Sequence, residues 1–252
     1  MKRSITLADN NNTILNPMIL NKFIKKIAAL LLLPCCGAVA YAQQFNYSIS
    51  LDTTFNYTDL SSATVLSQNA KWLAKYDIPT GFDTIGNTLQ KVNLETNGFV
   101  IYNKNLNHAL MAFKGFNCKL DSNSNFSQLS YLTTGTAGSK ILKIEFKNVG
   151  QGEDPKELLS YQLWLKENGV FEIAVGPNSY QKNPGDTIID TMQVVHIGLI
   201  NRNMDTESNG LFISGTPQNP VSSPLNSQNT ELAFLRTVPK RGYKYTFTPI
   251  QN

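Results

Sequence analysis

Trp164 stands in the stretch YQLWLKENGVFEIAVG, residues 161–176, between Gln162 and Lys166, with Glu172 following an Asn-Gly pair. An indole bordered by an amide, an ammonium and a carboxylate suits sugar binding. The ring stacks on the apolar face of a pyranose while its neighbours take the hydroxyls. Trp164, Gln162, Lys166 and Glu172 are therefore the candidate ligand-binding residues. Trp72 and Tyr76 share one side of a second apolar run and would extend the patch if that run lay nearby. One aromatic makes a small platform, and the same pattern also describes a Trp covered by a neighbouring segment.

Other chemistries find less support. Glycoside hydrolysis needs two carboxyl groups facing each other across a cleft, and Glu145 and Glu172 are available for that, although glutamates alternating with lysines also describe a solvated sheet face. His108 and His196 are the only histidines and lie far apart, too few for a multi-histidine metal site. His196 falls in an apolar run and reads as a core or edge histidine. DSNSN, Asp121 to Asn125, opens like a calcium loop but has Phe126 where glycine is needed and Leu132 where the bidentate glutamate belongs. Glu153, Asp154 and Glu157 form an acidic run that reads as a solvated face. No nucleophile elbow, phosphate loop or paired-cysteine spacing occurs. The expectation is a protein without catalytic residues, metal or cofactor.

The elements that must position Trp164 follow from the register of its hairpin. If Asn168 and Gly169 alone form the loop, both faces mix apolar and polar residues. If Glu167, Asn168 and Gly169 form it, with Gly169 left-handed, Leu165 meets Phe171, Leu163 meets Ile173 and Tyr161 meets Val175. One face is then wholly apolar. Gln162, Trp164, Lys166, Glu172 and Ala174 occupy the other, so Trp164 is expected to face outward.

The same alternation recurs along the chain. LKIEF sets Leu142, Ile144 and Phe146 against Lys143 and Glu145, and YKYTFT sets Tyr243, Tyr245 and Phe247 against Lys244, Thr246 and Thr248. Further strands are expected in FNYSISL from Phe45, AKWLAKY from Ala70, GFVIY from Gly98, ALMAF from Ala109, VVHIGLI from Val194, LFIS from Leu211 and LAFLR from Leu232. The only helical signal is a turn or two from Asp154-Pro155. SGTPQNPVSSPLNSQNT, residues 214–230, carries no strand signal and reads as a loop. About a dozen short strands with turn-rich connections predict an all-β fold, a two-sheet antiparallel β-sandwich with jelly-roll-like topology.

Residues 1–42 read as leader and signal peptide, leaving 43–252 as one domain. Lys22, Lys25 and Lys26 precede the apolar run Ile27 to Leu33, and Ala40-Tyr41-Ala42 offers a small-residue cleavage site before Gln43. That run is too short to span a membrane, and no second one follows. Pro34 ahead of Cys35 and Cys36 argues against a lipid anchor. Removing Lys2, Arg3, Lys22, Lys25, Lys26 and Asp9 leaves 17 basic and 17 acidic residues of the original 22 and 18, a balance that does not attract nucleic acid or an anionic membrane. Cys118 alone remains, so no internal disulfide forms, and it reads as a buried thiol.

TNGFVIY, ILKIEFKNV, YQLWLKENGVFEIAVG, IGLINR and RGYKYTFTP, taken in this order, resemble a β-sandwich domain of exported Bacteroidetes proteins, many of which end in a type IX secretion sorting tail. The resemblance spans most of residues 70–249 and is best at Asn97-Gly98, Asn168-Gly169 and Tyr245 to Pro249. It implies an accessory role at the cell surface or outside the cell and supplies no catalytic residue. The sequence ends at Asn252 without a sorting tail, so periplasmic residence is the alternative. Asp52-Thr53-Thr54, Asp83-Thr84-Ile85, Asp186-Thr187-Ile188 and Asp190-Thr191-Met192 resemble the short O-glycosylation pattern of such proteins. The expectation is an exported binding module for a glycan, or alternatively an assembly module that binds an envelope protein, with a glycoside hydrolase third.

Overall fold

Alternation in the sequence becomes strand after strand in the computed structural model, which describes residues 47–67, 75–82, 90–103, 108–118, 127–150, 158–180, 195–201, 209–225 and 233–250. In chain order the strands are β1 (Tyr47–Asp52), β2 (Thr64–Ser67), β3 (Lys75–Pro79), β4 (Lys91–Glu95), β5 (Phe99–Asn103), β6 (His108–Ala112), β7 (Asn117–Cys118), β8 (Gln128–Thr134), β9 (Ile141–Gly150), β10 (Leu159–Lys166), β11 (Phe171–Asn178), β12 (Ile197–Asn201), β13 (Asn209–Thr216), β14 (Asn219–Leu225) and β15 (Lys244–Pro249). The first sheet has 8 strands in the order β1-β15-β11-β10-β9-β8-β2, with β7 also on β9. The second has 7, in the order β14-β13-β12-β6-β5-β4-β3. The chain crosses to the second sheet after β2, returns after β6, crosses again after β11 and returns for β15. This is an all-β antiparallel sandwich with a jelly-roll-like arrangement, and all these residues lie within one compact unit, Gln44–Asn252.

The hairpin adopts the three-residue loop. Leu165 pairs with Phe171, Leu163 with Ile173 and Tyr161 with Val175. Gly169 has φ 83°, the left-handed value that closes such a loop without a Cβ clash. The apolar face joins Leu142, Ile144 and Phe146 of β9 and Tyr245 and Phe247 of β15 in the main core, where Ile78, Val92, Leu94, Val100, Leu110 and Ala112 answer from the second sheet. Burying each Leu, Ile, Val or Phe side chain there contributes about 1.5–3 kcal/mol. The Tyr161 ring stacks on Phe146 at 4.6 Å, and its hydroxyl reaches the Ala112 carbonyl of the facing sheet at 3.4 Å.

Two expectations are corrected in the second sheet. Residues 219–225, within the stretch read as a loop, form β14, paired with β13 from Thr216↔Asn219 to Gly210↔Leu225. Pro220 and Pro224 obscured it. Proline is tolerated on an edge strand, where a missing N–H costs no ladder bond if it faces away from the partner. Of LAFLR, the described residues 233–236 form no strand; among them only Leu235 bridges, to Val195 and Gly215. The reason is that the core takes one residue of the run: Leu235 is buried, whereas Phe234 is exposed. The turn from Asp154-Pro155, DSNSN and the acidic run at Glu153, Asp154 and Glu157 lie outside the described residues, as do residues 1–42 and Trp72. Among the described residues no helix is long and apolar enough to cross a membrane.

The outer face of the first sheet departs furthest from expectation. β1 and β2 sit at its opposite edges, so residues 53–63 must cross it. The crossing spans about 29 Å at about 4.8 Å per strand interval, and the segment reaches at most about 40 Å, so it runs extended. Its residues meet successive strands. Phe55 N donates to the Gly242 carbonyl just before β15, the Tyr57 ring lies on Gly176 of β11, Gln162 of β10 donates to the Thr58 carbonyl, and Leu60 N reaches Glu145 of β9. The half-solvated sheet is in fact strapped. Glu145, Gln162, Glu172 and Ala174 are buried beneath or beside this segment.

Candidate functional site

Trp164 points away from the core and stays half-exposed beside the strap. Its strand neighbours are Lys143 of β9 and Glu172 of β11. The indole is held on several sides. Nε1 donates to Gln162 Oε1 at 2.9 Å, Phe55 meets the ring edge-on at 5.5 Å, and the Lys143 ammonium lies 4.2 Å from the ring centroid. The Lys244 ammonium stands 5.6 Å from the same centroid and 4.9 Å from that of Phe55. Such cation–π contacts contribute about 0.5–1 kcal/mol each where solvent reaches them.

The four candidate residues come together, in unequal environments. Gln162 is 1% exposed, and its amide is fully engaged with Thr58, Glu145 and Trp164. Glu172 is 4% exposed. Its Oε1 accepts from Lys166 at 2.7 Å and faces Lys244 at 3.8 Å, while Oε2 is buried with no hydrogen-bond partner. Lys166 remains half-exposed. The reachable part of the site is thus Trp164 with the ammonium groups of Lys143, Lys166 and Lys244 around it. Lys143 and Lys244 were not among the candidates, although each lies beside a named strand position, opposite Trp164 and Ala174 respectively. Tyr76 does not extend the patch, because β3 belongs to the other sheet and Tyr76 packs on the main core.

Glu145 forms the second polar centre. Tyr57 Oη and Gln162 Nε2 donate to Oε1 at 2.9 and 2.8 Å, and Leu60 N lies 3.3 Å from the same oxygen. Burial, with the Glu145 carboxylate close behind it, holds the Tyr57 phenol well above its ordinary range. The reading of Glu145 and Glu172 as solvated outward glutamates is corrected: both are buried, because the strap and the lysines cover the face. They sit on strands separated by β10 and one row apart, about 12 Å between Cα atoms by strand geometry. Their known contacts bind the strap and the lysines.

His196 is half-buried, its Nδ1–H donating to the Ala233 carbonyl at 3.0 Å with Phe234 edge-on at 6.2 Å. Cys118 is buried in the main core, and burial pushes its thiol up to about 12. Among the described residues no group of three or more histidine, cysteine or acidic side chains is placed to hold a metal ion.

No curated protein and no solved structure matches the chain. The family model described as NIDO related matches residues 46–249, from just before β1 to the end of β15. It therefore takes in the strap, both sheets and the Trp164 face together, and the chain belongs to the NIDO-related family.

Proposed function

We propose that this chain is an exported, non-catalytic binding module of the cell envelope or extracellular space, and that its ligand is a carbohydrate seated on the Trp164 face. One observation carries the reading. Trp164 keeps an exposed part of its indole while Gln162, Phe55 and Lys143 fix the ring in place, which gives a rigid amphipathic contact at little entropic cost on binding. Lys143, Lys166 and Lys244 supply N–H donors for hydroxyl or carboxylate oxygens around it. The leader-like residues 1–42 and the strand-and-turn resemblance to exported Bacteroidetes proteins support export, to the surface or the periplasm.

The test is intrinsic fluorescence of the purified chain against a glycan panel, with Trp164→Ala and Lys143→Ala alongside and Trp72 as internal reference. A saturable change that Trp164→Ala abolishes, with the circular dichroism of the fold retained, is the expected outcome. No response from any glycan removes the carbohydrate reading. The second reading, an assembly module that binds another protein, draws on Val221 of β14, which is 58% exposed. Capture of one defined envelope protein, lost on Val221→Lys, would favour it.

A further inference from the structure

Each sheet has two edges, and an unprotected edge is a template for another strand. β14 is blunted by Pro220 and Pro224. β3 carries Lys75 and Asp77, both exposed, and ends in Pro79. β2 has four residues and a register shift between Val65 and Ser67. β1 has none of these devices. It pairs without a break with β15 over six residues, from Tyr47↔Pro249 to Asp52↔Lys244, and among the described residues it has no strand on its other side. Its sequence, YSISLD, contains no proline and no lysine, and its one charge stands at its end.

The side-chain pattern of β1 is also complementary to itself. Tyr47, Ile49 and Leu51 are half-buried on the core side, and Ser48, Ser50 and Asp52 are exposed on the other. In an antiparallel pair of two such strands centred on Ile49, Ile49 lies opposite its own copy, Tyr47 opposite Leu51 and Ser48 opposite Ser50. Every apolar residue then meets an apolar one on the core side, and no like charges oppose each other. The edge apolar side chains, which one copy leaves half-covered, gain cover from the second.

We propose that β1 is a self-association edge, pairing with β1 of a second copy about a two-fold axis at Ile49, so that the two first sheets become one continuous sheet. A contact of one short strand is well below the roughly 800 Å² per partner of a stable complex, so the association is weak and reversible. It leaves the Trp164 face open in both copies and does not depend on what that face binds.

Sedimentation equilibrium of the purified chain up to about 1 mM is expected to show a reversible monomer–dimer equilibrium, in the weak range that so small an interface allows. Ile49→Cys is expected to form a reducible disulfide-linked dimer under mild oxidation, because directly opposed residues in an antiparallel pair have Cα atoms about 4.5–5.5 Å apart, within disulfide reach. Ser50→Cys is expected not to, since it faces Ser48 of the other copy. Three results overturn the proposal: a monomer throughout the concentration range, a dimer in which Ile49→Cys fails to cross-link, or efficient cross-linking by Ser50→Cys alone. Protection of β1 amides only when an unrelated extended peptide is added also overturns it, by replacing the second copy with another occupant.

Discussion

Tyr57 donates its phenolic hydrogen to Glu145 over 2.9 Å, with the two residues 88 positions apart in the chain, and so fastens the segment after β1 to the middle of the sheet it crosses. Glu145 takes further donors from Gln162 and from the Leu60 backbone. Removing either member therefore has unequal effects. Tyr57→Phe deletes one donor and is expected to cost about 1 kcal/mol, whereas Glu145→Leu strands several buried donors and is expected to cost about 3 kcal/mol. Urea unfolding of both single variants and the double variant measures the coupling, expected at about 1–2 kcal/mol; strictly additive effects would show the contact to be incidental.

Gly176 is the seat of the Tyr57 ring. A Cβ at this position would lie 2.5 Å from Tyr57 Cζ, closer than atoms approach, and the ring is confined between the sheet and its own hydrogen bond. Gly176→Ala is expected to destabilise by about 1–3 kcal/mol through overpacking. If the ring is the obstacle, Tyr57→Ala in the same chain removes the added cost of the alanine, which chemical denaturation reads directly.

The Cys118 thiol, pushed up to about 12 by burial, is expected to be inert in the native state. At pH near 8 its thiolate fraction is on the order of 10³ lower than that of an ordinary cysteine, before any loss of access is counted. Iodoacetamide labelling followed by peptide mapping is expected to find Cys118 unmodified in buffer and fully modified in denaturant. Rapid labelling in buffer contradicts the buried position.

His196 is held below its ordinary pKa, first by burial, with a smaller push from Lys114 and an opposing pull from its bond to Ala233. The unfolded chain then binds this proton more readily than the folded one. Its contribution is complete above about pH 6.5 and is lost as the pH falls below that value, before most carboxylates titrate. Unfolding midpoints are expected to decline between about pH 7 and pH 5.5, and His196→Gln to flatten that decline. An identical slope in the variant rules His196 out as its source.

What was legible in the sequence was the inward half of the fold. Leu163 and Leu165 had apolar partners in one register of the hairpin and mixed ones in the other, so hydrophobic patterning chose the pairing that the structure shows. The outward half was not legible, because Gln162, Glu145 and Glu172 look alike in sequence whether water or a strap covers them. The cover is Phe55, Tyr57 and Leu60, about 100 residues from the hairpin, in a segment with no periodicity of its own. β14 was hidden by its prolines. β8, QLSYLTT, was hidden by its serine and threonines. The candidate site was legible in composition and only partly in access: Trp164 and Lys166 stay half-exposed, whereas Gln162 and Glu172 serve as supports.

The placing of β1 against β15 also sets the order in which the molecule can close. Ser48 meets Thr248 across 200 positions of chain, and the strap that follows β1 lies over β15, β11, β10 and β9. None of these surfaces exists until much later sequence has been made and paired. β1 and the strap, made before the other strands of this sheet, are therefore among the last parts of it to be secured, and their loop-closure entropy is met only late. A chain delivered N-terminus first remains unlatched along this sheet until β15 arrives. β1 thereby reports the last pairing at its edge: protection of its amides in a pulsed hydrogen-exchange experiment marks the moment at which β15 has taken its place.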